Sequence, residues 1–428
     1  MGGGWASRRP SGRLAMFRPS KSDSLTGTQA RPKSHAMPGD MKKIDPVFLA
    51  QALIRCPSVT PEDAGALGVL EAALKPMGFA CHRLRFEEAG TAPVENLYAR
   101  LGTGAPHFCF AGHTDVVPTG EVALWNHGPF AAEIENGVLF GRGACDMKSA
   151  IAAFVAAAAR AIETDAPKGS IGLLITGDEE GVSINGTKKM LGWLKDHGER
   201  IDHCLVGEPA STATSGDTIK IGRRGTMRAE FTVRGIQGHT AYPQRALNPI
   251  PILATLVSEL AGEPLDKGSE HFEPSTLVFT TFDVGNPAGN VSPASAFAAC
   301  NIRFNDLHTF EELTGRMQNK AAAIMRRMGG EIGVTTNCSG VSFVTEPGAF
   351  TDLLSNAAEK VTGKIPELST GGGTSDARFI KDHCPVAELG LPGTSMHKTD
   401  ECMPVAEIEK LTDIYAAILS AYFVAPPK

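Results

Sequence analysis

The sequence predicts an α/β fold: a mixed, mostly parallel sheet flanked by helices and interrupted by a smaller α+β insertion. Three observations carry this. From residue 46 onward, short apolar runs alternate with stretches of helical period. Four of those runs end in a glycine beside an acid or a histidine, at the strand ends where such sheets present ligands. Near Ile219 the pattern changes to longer alternating strands in the order β-α-β-β-α, over residues 222–335.

The elements follow in order. Residues 1–40 are rich in Gly, Ser, Pro and Arg and have no hydrophobic period, so they read as a disordered extension or as an over-early start before Met41. Their basic, acid-poor composition also fits a transit peptide. Pro46–Ile54 and Gly65–Met77 read as helices. Asn96–Arg100, His107–Ala111, Ile171–Thr176 and His203–Val206 read as strands, with Met147–Ile162 a helix of the length that covers a sheet face. In the insertion, Met227–Val233, Thr276–Val284 and Ala296–Phe304 read as strands, and Pro249–Leu260 and Phe310–Met328 as helices. Phe350–Thr362 and Leu411–Phe423 close the chain as helices.

Composition excludes several classes. With 428 residues, 42% hydrophobic and 21% charged, the chain is ordinary globular protein of two or three domains. No run reaches the ~18 apolar residues of a membrane span. Net charge is −6, and residues 1–40 contribute +5, which leaves −11 on the remaining 388. So acidic a body argues against a nucleic-acid partner. Nine cysteines without a C-x-x-C pair, Cys81, Cys109 and Cys204 among them, read as buried thiols in a reducing compartment.

The chemistry lies at the run ends. His107–Ala111 leads into Gly112-His113-Thr114-Asp115. In a strand, His113 and Asp115 share a side, so the carboxylate can orient an imidazole whose other nitrogen binds metal. Gly141-Arg142-Gly143-Ala144-Cys145-Asp146 delivers Asp146 to a helix start, where an ordinary N-cap is the plain alternative. Ile171–Thr176 ends in Gly177-Asp178-Glu179-Glu180-Gly181, three adjacent acids that repel unless they are solvated or share a cation. His203–Val206 ends in Gly207-Glu208-Pro209, and Ser395 to Glu401 offers His397. Carboxylates and imidazoles without thiols suit zinc, manganese or cobalt, and one bridging carboxylate would let five ligands hold two ions. The glycine run Gly371–Gly373 lacks the Lys-Ser/Thr ending of a phosphate-binding loop.

Gly112 to Pro118, Gly141 to Lys148, Gly177 to Gly181 and Gly207-Glu208-Pro209 together resemble the co-catalytic zinc aminoacylase/carboxypeptidase family. Gly222-Arg223-Arg224-Gly225, Gly235 to Pro243 and Gly372 to Phe379 are similar to its branch that acts on N-succinyl-diaminopimelate. The match runs from about Met41 to the C-terminus. The resemblance implies a zinc-exopeptidase-like catalytic domain over 41–221 and 336–428, and an inserted dimerisation or lid domain over 222–335. It implies two zinc ions per subunit, with cobalt or manganese as substitutes. His113, Asp146 and Glu208 would hold one ion and Asp146, Glu180 and His397 the other. Asp115 would sit behind His113, and Glu179 would be the general base. His239 would reach a partner subunit's site to stabilise the oxyanion, which makes the protein a homodimer.

Arg223, Tyr242, Asn290, Arg303, Gly373 and Thr374 match substrate positions of that family. The implied reaction is hydrolysis of N-succinyl-LL-2,6-diaminopimelate to succinate and LL-2,6-diaminopimelate, in bacterial lysine and cell-wall precursor synthesis. It would be cytoplasmic, with a small-molecule substrate and neither nucleic acid nor membrane as partner. Gly289 and Gly393 depart from the family, which often carries asparagine there. The competing readings are a related deacylase, such as one acting on N-acetylornithine, and a non-catalytic, metal-stabilised binding protein. The second is expected to lack the base or a ligand, and this chain has all of them.

Overall fold

A computed structural model describes residues 44–164 and 167–427. The expectation for residues 1–40 therefore lies outside the described residues. The larger sheet has eight strands, in the order Ala80–Phe86, Val94–Leu101, Ser170–Thr176, His107–His113, His203–Val206, Val386–Glu388, Thr218–Lys220, Glu367–Ser369. Its centre is parallel: Ser170–Thr176, His107–His113, His203–Val206 and Val386–Glu388 run the same way. The first two strands are antiparallel, so the sheet is mixed, as the sequence predicts.

The central strands are continuous apolar runs because both faces are covered. Side chains alternate across the sheet: Phe108 and Phe110 enter one core, Cys109 and Ala111 the other. The Phe108 face packs on helices Lys148–Thr164, Val405–Val424 and Pro46–Ile54. Helix Lys148–Thr164 is buried all round over its first twelve residues, Lys148 to Ala159, as an Ala-rich helix between sheet and outer helices must be. Phe154 stacks on Phe110 with ring centroids 4.3 Å apart, and Tyr415 meets both rings edge-on. Helix Thr187–Asp196 covers the opposite face with Met190, Leu191 and Leu194.

The smaller sheet is antiparallel, in the order Thr276–Asp283, Ser295–Phe304, Gly225–Arg234, Glu331–Gly340. Helices Pro249–Gly262 and Phe310–Met328 cover one face and form a separate core around Phe231, Leu253, Leu256, Phe304 and Met317. Thr309 and Glu312 close a reciprocal capping box at the start of the second helix. The order is thus β-α-β-β-α-β. The sequence reading lacks the last strand, Glu331–Gly340, which is polar on alternate positions and crosses the boundary expected at 335. The chain enters and leaves this unit through one small ladder, Gly222–Arg223 against Phe343–Val344.

Other differences are local. The final helix begins at Val405, six residues earlier than expected, because Cys402–Pro404 is a strand that stops directly against it. Strand Ala80–Phe86 and helix Thr187–Asp196 add to the elements read from sequence. All nine cysteines are free; Cys109 and Cys204 are buried, whereas Cys81 is half-buried. Among the described residues no helix is long and apolar enough to cross a membrane.

Truncating the aromatic layer tests this core. Phe154→Ala is expected to cost about 3–5 kcal/mol, read from the denaturant midpoint; an unchanged midpoint would deny the ring its place in the packing.

Candidate metal centre and active site

Three neighbouring parallel strands end on the same edge of the sheet, and their last residues converge there. His113 closes His107–His113, Glu179 and Glu180 follow Ser170–Thr176, and Glu208 follows His203–Val206. Loop Gly141 to Met147 brings in Asp146. The loop after Val386–Glu388 brings in His397 and packs so tightly under the Glu208 turn that a Cβ at Gly390 would stand 2.2 Å from the Glu208 carbonyl oxygen.

Asp146 is the hinge of the arrangement. Its Oδ1 lies 3.1 Å from His113 Nε2, and its Oδ2 lies 3.3 Å from His397 Nε2. Glu208 Oε1 is 3.6 Å from His113 Nε2, and Glu180 Oε1 is 2.8 Å from His397 Nε2. Ligand atoms of His113, Asp146 and Glu208 all lie within 4.8 Å of one another, and so do those of Asp146, Glu180 and His397. Two three-ligand groups sharing one carboxylate fit a pair of divalent ions. A third grouping, His113 with Glu179 and Glu180, brings Glu179 to the rim of the same centre.

Asp115 stands against His113, chiefly through its main chain. His113 is the last residue of its strand, so the period-two argument stops there. His113 Nδ1–H donates instead to the Asp115 main-chain carbonyl, at 2.9 Å, with the carboxylate 3.7 Å away. That bond still leaves Nε2 facing the centre. The Asp115 carboxylate accepts the backbone N–H of Glu179 at 3.3 Å and of Glu180 at 3.0 Å, and so positions the acidic turn. The three adjacent acids divide their work. Asp178 is buried and accepts N–H bonds from Ser183, Ile184 and Asn185, a turn-holding role that leaves Glu179 and Glu180 for the site.

Packing these charges together shifts them strongly. Burial, then the charges of Asp146 and Glu179, push Glu208 well above the usual carboxylate range. Burial also raises Glu179, with Asp376, Glu180 and Asp146 adding to it and His113 opposing. Burial works against a charged His113, but the Asp146 and Glu208 carboxylates outweigh it and raise its pKa well above the ordinary value. Hydrogen bonds that His397 donates to Asp146, then to Glu180, raise it to about 10. Asp115, buried beside His113, is raised to about 6. A cluster in which imidazoles hold protons only to neutralise carboxylates is one that divalent ions can neutralise instead.

The substrate-contact residues fall into two groups. Thr374, Glu179 and Glu180 line one cleft of about 1100 Å³, whose opposite wall is Asn337, Cys338 and Ser339 of the smaller sheet. Gly373 beside Thr374 is exposed, with nothing close to its missing Cβ. Arg303 is half-buried and donates to Thr226 Oγ1 at 2.5 Å. His239, Tyr242 and Asn290 form an exposed patch on the insertion: His239 packs edge-on to Tyr242, and the Asn290 carbonyl accepts the Thr240 N–H. Among the described residues, none of these three makes a hydrogen bond or ion pair with the metal-ligand groups. Gly289 and Gly393 leave room for a side chain, so the backbone does not demand glycine at either.

Arg223 is engaged within the protein. It is 6% exposed, its Nε and Nη2 fork onto Glu388, and Nη1 donates to the Gly371 carbonyl. Ser375 Oγ donates to the same Glu388 at 2.5 Å. The guanidinium is therefore occupied by the protein and holds the loop that carries Gly373 and Thr374. Sequence reasoning missed Glu388, and it missed Asp376, a buried carboxylate that has no hydrogen-bond partner among the described residues and whose charge bears on Glu179. It also missed Glu401. The only signal was that each stands in or near a motif already singled out.

Residues 109–421 match the profile of Peptidase family M20/M25/M40. The chain belongs to that family. It is 57% identical over 379 residues to a succinyl-diaminopimelate desuccinylase of Parvibaculum lavamentivorans, covering 89% of this chain and 96% of the relative. A protein of the same description from Rhodospirillum centenum is 56% identical, covering 89% and 97%. Among solved structures, an aminopeptidase PepT from Bacillus cereus superposes with a TM-score of 0.72 at 22% identity, covering 88% of this chain and 97% of that one.

Because both imidazoles must lose protons to bind metal, loading chelator-treated protein near neutral pH is expected to release protons. Metal affinity is expected to rise with pH from neutrality up to about 10, where His397 gives up its proton. Calorimetry in buffers of different ionisation enthalpy measures both; a proton-neutral reaction would contradict the ligand set.

Proposed function

We propose that this chain is a dinuclear metallohydrolase that cleaves N-succinyl-LL-2,6-diaminopimelate to succinate and LL-2,6-diaminopimelate. The observation that carries it is Asp146, with one oxygen beside each imidazole and Glu179 at the rim, in a chain 57% identical to a succinyl-diaminopimelate desuccinylase. His113, Asp146 and Glu208 would hold one ion, and Asp146, Glu180 and His397 the other. An oxygen- and nitrogen-only ligand set suits zinc, with cobalt or manganese as substitutes. When bound, the ions polarise the amide carbonyl and lower the pKa of water.

The chain's residues do the rest. Glu179 accepts a proton from water as its oxygen adds to the succinyl carbonyl carbon. It returns that proton to the departing nitrogen when the C–N bond breaks, which leaves succinate and a free amine. Burial raises its pKa, so it is suited to hold the proton between the two steps. Asp115 keeps Glu179 and Glu180 in register through their backbone N–H groups. Arg303, held only through Thr226 among the described residues, keeps donors for a substrate carboxylate. Thr374 offers a hydroxyl in the cleft and Gly373 an open backbone. Arg223 supports both from behind.

His239, Tyr242 and Asn290 stand on the insertion, apart from their own chain's centre. We assign them to the site of a second copy, with residues 222–335 as the dimerisation and lid domain and His239 stabilising the oxyanion. A biosynthetic enzyme with free thiols and an acidic body fits the bacterial cytoplasm and a small-molecule substrate rather than nucleic acid or membrane.

Glu179→Gln is expected to lower kcat by about 10²–10⁴-fold with both metals retained; wild-type turnover would remove Glu179 from the base role. His239→Ala is expected to lower kcat without altering metal content, and mixing it with Glu179→Gln subunits should restore part of the activity if the histidine acts across the dimer. Comparing kcat/KM for N-succinyl-LL-2,6-diaminopimelate and N-acetylornithine on one zinc-loaded preparation tests the substrate. Preference for the acetyl compound would keep the chemistry and overturn the specificity.

A further inference from the structure

We infer that Glu401 is a positioning residue that sets the His397 side of the metal centre, by locking the Asp146 loop to the His397 loop. The inference rests on the metal-centre reading above. Glu401 is 0% exposed and, among the described residues, makes no hydrogen bond or ion pair with a candidate ligand side chain. Its Oε1 accepts three backbone N–H bonds from the loop that carries Asp146: Gly143 at 3.1 Å, Cys145 at 2.9 Å and Asp146 itself at 3.1 Å. Its Oε2 accepts from Arg142 Nη1 at 2.6 Å, and its own carbonyl accepts the Gly141 N–H at 2.8 Å.

Arg142, also buried, extends the lock. Nη1 reaches the Lys398 carbonyl at 3.2 Å, next to His397, and Nη2 reaches the Pro118 carbonyl at 3.3 Å, on the segment that leaves His113. One buried ion pair therefore joins the chain segments of three ligands. A carboxylate suits this place because it can accept every one of these bonds at once, while an amide would turn an NH2 group toward either Arg142 or the backbone donors.

Both sides share Asp146, which the lock holds, but their remaining ligands depend on it unequally. His113, Glu180 and Glu208 stand at or just beyond the ends of sheet strands, held by ladder hydrogen bonds. His397 has no such root. It lies on a loop, is 45% exposed at the side chain, and has φ +62°, with Asp400 at φ +53°. Both residues occupy the left-handed region, which His and Asp enter more readily than most side chains, so the loop turns sharply here and is held by its own contacts rather than by a ladder. Glu401 is the adjoining anchor.

Metal titration of chelator-treated, full-length Glu401→Gln tests this, with zinc followed by calorimetry and cobalt by visible absorption. Wild-type protein is expected to bind two ions. The variant is expected to lose about 10–100-fold in affinity for one of them, to alter the cobalt spectrum of that ion, and to leave the other within a few-fold. If Glu401→Gln does not fold because Arg142 is left unpaired, the double variant Arg142→Met/Glu401→Gln strands no charge and carries the same expectation. Two wild-type constants and unchanged cobalt bands would overturn the role, and so would an equal loss at both sites, which marks general destabilisation. A wild-type protein that binds fewer than two ions would overturn the metal-centre reading itself, and the positioning role with it.

Discussion

Everything at this edge of the sheet answers to one constraint: too many carboxylates share too little water. Asp115, Asp146 and Glu208 are buried, and Glu179 and Glu180 are no more than half-exposed. Such a cluster stands only if each charge is neutralised or hydrogen-bonded. The protein meets the demand at several depths. Asp178 and Asp115 spend their oxygens on backbone N–H groups, Glu388 and Glu401 are paired with buried arginines, and the imidazoles answer Asp146, Glu180 and Glu208. What remains is a crowd of carboxylates at the centre of the site, which the proposed pair of cations would neutralise.

The parallel sheet is what concentrates these groups. Neighbouring parallel strands deliver their C-terminal ends to one place, so short runs of sequence that lie far apart can each contribute one ligand. An antiparallel arrangement would send alternate ends to opposite edges.

Much of this was legible in the sequence, for a physical reason. Strands buried on both faces are unbroken apolar runs, and the acid or histidine that ends each run stands out against them. The longer central strands and three of the five proposed ligands, His113, Glu180 and Glu208, could be read that way, while Asp146 and His397 lie on loops. The edge strand Ala80–Phe86 and the three shortest strands of the larger sheet could not. Ala80–Phe86 alternates apolar residues with His82, Arg83 and Arg85, and Thr218–Lys220, Glu367–Ser369 and Val386–Glu388 have only three residues each, too few to carry a period. Asp115 shows a subtler limit: strand periodicity says which way a side chain points only while the strand lasts. For Arg223 the residue type was read correctly as a carboxylate fork, but its carboxylate is Glu388, 165 residues away. Glu401 was invisible for a similar reason. Apart from Arg142, its partners are main-chain N–H groups, and these have no letter in the sequence.

Strand Val386–Glu388 lies between His203–Val206 and Thr218–Lys220, in the interior of the larger sheet. During synthesis, the segments that flank it emerge from the ribosome long before it does. The smaller antiparallel unit, whose strands and helices all lie between residues 225 and 340, can complete its own hydrogen bonds meanwhile. The larger sheet has to wait with a gap at its centre until nearly the whole chain is made. The last ligand, His397, arrives just after the strand that fills that gap, so a truncated chain would present an unfinished sheet and an incomplete metal site together.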